Sequence, residues 1–68
     1  VSVELLGRLG VSILANKTDY TEMMNWLESN FSKDDYTVSR EVSSVSFSHT
    51  RIFFNTEEQQ TWFLLRWS

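Results

Sequence analysis

The chain has 68 residues, no cysteine, one histidine (His49) and a formal net charge of −3 from six basic and nine acidic side chains. Disulfides and Cys/His zinc sites are therefore excluded. The mild acidity disfavours a general nucleic-acid binder, which carries a basic face.

Nine carboxylates are also too few to copy a phosphate lattice, which has a charge every ~1.7 Å of axis. No apolar run approaches the roughly 20 residues of a membrane span, and the start lacks the order of a signal peptide. The absence of cysteine agrees with a reducing, cytoplasmic setting. A single domain of this length buries only about 60% of its unfolded surface, and its core rarely supplies more than about 3–5 kcal/mol. With 15% aromatic residues, including Trp26, Trp62 and Trp67, two routes to stability remain: a dense aromatic core or self-association.

Residues 1–16 alternate with unusual regularity, with Val1, Val3, Leu5, Leu9, Val11, Ile13 and Ala15 all odd-numbered. This is the period-2 signature of a half-buried strand. One straight strand would reach about 50 Å, too long for so small a domain. The segment therefore bends at Gly7–Gly10, folds back there as a hairpin, or extends its first half onto another chain. A short helix over residues 2–9 is the rival reading.

Residues 19–31 read as a helix. Asp19 can cap it with Glu22 three residues on, and Tyr20, Met23, Met24, Leu27 and Phe31 form its apolar stripe, with Trp26 at the margin. Ser32–Asp35 is a polar turn. Residues 36–54 read as two antiparallel strands. A tight turn at Ser43–Ser44 would pair Val42 with Val45, Arg40 with Phe47, and Val38 with His49, leaving Thr37, Ser39, Glu41, Ser46, Ser48 and Thr50 on a polar face. The apolar parity then flips from Val45 and Phe47 to Ile52 and Phe54, which predicts a bulge or break within Ser48–Arg51. Residues 55–67 read as a second helix, with Asn55 as its cap and Glu58 three residues on. A final strand over Thr61–Trp67 is the alternative, because its aromatics are β-prone. The fold class expected is α+β, a two-layer sandwich in the order β-α-β-β-α with both helices on one sheet face.

No catalytic constellation stands out. His49 is the only imidazole, and the acidic pairs Asp34-Asp35 and Glu57-Glu58 have ordinary roles in a turn and at a helix start. No calcium loop or glycine-rich phosphate cradle is present, so no cofactor or metal is expected. Two groupings invite a functional reading. Tyr36, Arg40, His49 and Arg51 fall on or beside one hairpin face, where they could hold an anion or stack on a base. Trp62, Leu64 and Trp67 cannot all point into one small core. With Val3 and Leu5 they are expected to form a protein interface.

The ending Ile52–Ser68, IFFNTEEQQTWFLLRWS, resembles the strand-then-helix ending of short uncharacterised accessory proteins of tailed bacteriophages. The similar part is an aromatic strand, an acidic helix start and a closing aromatic–Leu–Arg–Trp segment. The resemblance implies a phage accessory role and assigns no functional residue. The expected function is a non-enzymatic protein-interaction domain whose partner is a second copy of itself. The competing expectation is a module for an anion or single-stranded nucleic acid.

Overall fold

The computed structural model describes residues 2–42 and 46–67. The N-terminal alternation resolves into a hairpin: β1 (Ser2–Leu6) pairs antiparallel with β2 (Gly10–Asn16). The longest dimension of the molecule is 32 Å, so the segment could not have lain within it as one strand. Gly7 supplies the required reversal at φ +71°, a region closed to most side chains. Gly10 is needed for a different reason. A Cβ there would collide with the Leu6 carbonyl oxygen and lie 2.8 Å from the Phe53 ring. Odd residues pair with odd across this hairpin, from Val3 with Ile13 to Leu5 with Val11, so the period-2 pattern passes through the turn unchanged.

Helix α1 (Lys17–Asn30) follows β2 directly. Its cap is Asn16, not Asp19: the Asn16 Oδ1 accepts a 2.8 Å hydrogen bond from the Asp19 N–H. Met23 and Leu27 are its fully buried residues. A single 3-10 turn (Lys33–Asp35) leads into β3 (Tyr36–Val42), and β4 (Phe47–Phe54) leads into α2 (Glu57–Trp67). The order is therefore β-β-α-β-β-α, one strand more than the expected order because the first segment folds back. The four antiparallel strands lie in the order β1-β2-β4-β3, with both helices on one face. The class is α+β, as expected. Residues 61–67 are helical.

Two expectations about β3 and β4 are corrected. The register pairs Val38 with Ile52, Arg40 with Thr50, Glu41 with His49 and Val42 with Ser48, rather than Val38 with His49 and Arg40 with Phe47. The expected turn at Ser43–Ser44 lies outside the described residues. No bulge interrupts β4: it is a central strand, paired along its length with β2 on one side and β3 on the other. A bulge would break two ladders at once. The continuous ladder sends Ser48, Thr50, Ile52 and Phe54 under the helices and Phe47, His49, Arg51 and Phe53 to the opposite face. The Ser48 and Thr50 hydroxyls are buried there with no hydrogen-bond partner among the described residues.

The cap of α2 is displaced in the other direction, one residue later than expected. Thr56 Oγ1 accepts from the Gln59 N–H at 3.2 Å, and Gln59 Oε1 accepts from the Asn55 and Thr56 N–H groups, both at 3.1 Å. Asn55 instead ties the start of α2 to the 3-10 turn, its Nδ2 donating to the Asp34 carbonyl at 2.7 Å. Gln60 reaches down from α2 and donates to the Gly10 carbonyl at 2.7 Å, fixing the helix over the β1–β2 turn.

The core is an aliphatic layer of Val11, Ile13, Met23, Leu27 and Ile52 continued by aromatic rings. Trp26 lies at the centre of that continuation, in edge-on contact with Phe31, Trp62, Phe63 and Trp67 at centroid distances of 5.7 to 6.4 Å. The radius of gyration is 11.1 Å, against about 11 Å for a compact chain of this length.

Candidate functional site

The helices cover only one face of the sheet. The ladder registers place Ser2, Glu4 and Leu6 of β1, Ser12, Leu14 and Asn16 of β2, Phe47, His49, Arg51 and Phe53 of β4, and Thr37, Ser39 and Glu41 of β3 together on the other. Three large apolar residues there are open to solvent: Leu14 at 40%, Phe47 at 47% and Phe53 at 44% of their surface. Phe53 sits across Gly10, where the missing side chain makes room for its ring. His49 stands between Leu14 and Glu41 in the cross-strand row. Arg51 stands between Ser12 and Ser39 and lies 3.8 Å from a Glu41 carboxylate oxygen. A shallow hollow of about 240 Å³ is lined by Ser2, Glu4, Ser12, Leu14 and His49.

The sheet divides the set Tyr36, Arg40, His49 and Arg51. Only His49 and Arg51 share the uncovered face. Tyr36 and Arg40 share the helix-covered face, because the register is three residues away from the expected one. Arg40 stacks its guanidinium over the Tyr20 ring of α1 at 4.1 Å from the centroid. Tyr36 packs edge-on against Phe31, and its phenol is raised above its ordinary value by burial and then by the charge of Glu28. The four groups expected to converge are thus divided between the two faces of the sheet.

The expected interface residues are also distributed. Val3, Leu64 and Trp67 are half-buried against the core. Leu5 is exposed on the edge strand β1, and Trp62 is 47% exposed beside Phe31 and Trp26. Leu65, outward on α2, is 82% exposed. The apolar residues missed by sequence reasoning are Leu14, Phe47 and Phe53. The signal was present: Phe47 and Phe53 have the same parity as His49 and Arg51, opposite to Ile52 and Phe54. An unbroken strand must put them on the polar side.

Among the described residues no three His, Asp or Glu side chains are grouped to hold a metal ion, and no helix is long and apolar enough to cross a membrane. Comparison with protein-family models, curated proteins and solved structures finds no match.

Proposed function

We propose that this is a non-enzymatic protein-interaction domain that associates with a second copy of itself through the uncovered sheet face. The observation that carries the reading is the exposure of Leu14, Phe47 and Phe53 on a face with no covering layer. The charges on that face favour a like partner. Glu4 and Glu41 accompany Arg51, so a two-fold related copy can set each Arg51 near a carboxylate of the other. Four strands about 4.8 Å apart and seven residues long at about 3.3 Å each present roughly 450 Å² per copy. That is roughly 900 Å² in all, at the low end for a specific contact. The dimer is accordingly weak and concentration-dependent. The C-terminal resemblance makes a phage accessory or host-interaction role, in the cytoplasm, the proposed setting.

Light scattering over a concentration series tests this directly. The mass should rise toward a dimer with concentration, and thermal stability should rise with it. Phe47→Glu with Phe53→Glu should leave a folded monomer. A strictly monomeric wild type at high concentration would sink the reading.

A second reading has one observation in its favour. Phe47 and Phe53 flank His49 and Arg51 on one strand face, an arrangement on which bases can stack. The Glu41 carboxylate beside Arg51 and the presence of Glu4 weigh against a phosphate there. Titration with a single-stranded oligonucleotide separates the two. Salt-sensitive binding lost in Arg51→Ala would favour this reading over self-association.

A further inference from the structure

On the helix side of the molecule, away from the uncovered sheet face, a cleft runs between the end of α1, the 3-10 turn and the start of α2. We propose that it is a docking groove for a basic segment of a partner protein, with one cationic side chain seated against the Trp62 indole. The groove has a volume of about 590 Å³, within the roughly 300–1,000 Å³ usual for ligand pockets. Phe31 and Trp62 give it aromatic lining, their centroids 5.0 Å apart and edge-on. A second, more open hollow of about 400 Å³ shares Trp62 and Glu58 with it and continues along α2 past Glu57 and Leu65. Trp62 therefore lines both hollows.

The lining decides the occupant. Asp35, Glu57 and Glu58 line the two hollows, and no Lys, Arg or His does. Among the described residues none of these three carboxylates has a basic side chain within 4.0 Å. An anionic occupant would be repelled. A neutral apolar one would strip water from the carboxylates without replacing it. A guanidinium or ammonium on an apolar stem satisfies both parts: the stem lies along the rings and the charge meets the carboxylates, and Trp offers the best ring face for a cation. The walls are already held in place. The Asn55 N–H donates to the Asp35 carbonyl at 3.0 Å, the Asn55 Nδ2 donates to the Asp34 carbonyl, and Asp35 Oδ2 accepts from the Ser32 N–H at 3.0 Å. A groove fixed before binding loses little ordering entropy when it is filled.

The test is a titration of the isotope-labelled full chain with a capped Leu-Arg-Arg-Leu peptide, read by amide NMR shifts and Trp fluorescence. Saturable shifts are expected at Phe31, Asp35 and residues 56–65. The dissociation constant should rise by roughly fivefold or more between about 0.05 M and about 0.5 M salt. Trp62→Ala should abolish binding, but it also removes a ring from the core cluster. The surface variant Glu57→Gln with Glu58→Gln therefore carries the decision, and it should weaken binding by roughly tenfold with an unchanged circular dichroism spectrum. The proposal is overturned if a Leu-Gln-Gln-Leu peptide binds equally well, if salt or the double Gln variant has no effect, or if the shifts map to Phe47 and Phe53. Absence of any saturable shift overturns it as well. Self-association through the sheet face is read separately by scattering and does not depend on this outcome.

Discussion

The two faces of β4 carry chemistry opposite to that of their surroundings in the first half of the strand and matched to it only in part of the second. Under the helices lie Ser48 and Thr50, followed by Ile52 and Phe54; toward solvent lie Phe47, His49, Arg51 and Phe53. Ile52 and Phe54 contribute about 1.5–3 kcal/mol each when buried, and an unpaired buried hydroxyl costs about 1–3 kcal/mol. These terms nearly offset one another, so side-chain burial alone does not choose between a straight strand and a bulged one. The ladder does. β4 is hydrogen-bonded to β2 and β3 along its length, and continuity of both ladders fixes one parity for all eight residues. A central strand thus imposes on its weaker half the facing that its stronger half requires, and the rings left outside become the surface proposed to bind.

The largest test of this contrast compares a ring on each side. Phe63 is fully buried between Trp26 and Phe54, and Phe63→Ala should lose about 3–5 kcal/mol, comparable to the whole stability of a domain this small. Urea denaturation should find it largely unfolded. Phe53→Ala, on the uncovered face, should lose about 1 kcal/mol or less in the monomer while weakening association. Equal losses would show that the uncovered face is packed after all.

A smaller effect, of opposite sign, is expected at the buried hydroxyl. Thr50→Val keeps the shape and removes an unpaired polar atom, so it should stabilise the fold by about 1 kcal/mol in the same measurement. A destabilised Thr50→Val would mean that the hydroxyl has a partner in solution.

The smallest effect concerns Tyr36, on the covered face. Its phenol is raised above 10.0 by burial first and by Glu28 second, so the folded state favours the neutral ring. Its contribution is fully present below the unfolded value, about 10, and is lost as pH rises through the folded one. Stability should therefore fall more steeply above about pH 10 in wild type than in Tyr36→Phe, and the two should run parallel below it. Parallel curves throughout would place the phenol in water.

Much of the architecture was legible because it rests on local periodicity. The odd-numbered alternation of residues 1–16 specified the core side of two strands, and the stripe of Met23 and Leu27 specified the inner face of α1. The acidic start of 55–67 marked a helix to within two residues. The caps moved by a few residues because several side chains in each stretch could fill the position, and only the path of the incoming strand selects Asn16 and Thr56. The constellation of Tyr36, Arg40, His49 and Arg51 did not survive as a unit, since a three-residue change of register, being odd, turns every side chain of β4 to the opposite face relative to those of β3.

Sequence alone determined the α+β class and the exclusion of disulfide and Cys/His zinc chemistry, since these follow from composition and from spacing within a few residues; it left open the path of residues 1–16 and the choice of helix or strand at 61–67. Tertiary structure decided the β3–β4 register, the exposure of Phe47 and Phe53, the place of Trp26 at the centre of the aromatic cluster, and the acidic groove at Trp62. Each of these depends on which distant segment lies alongside. That is settled by the joint satisfaction of two ladders and two helix faces, a condition that no single stretch of the chain contains.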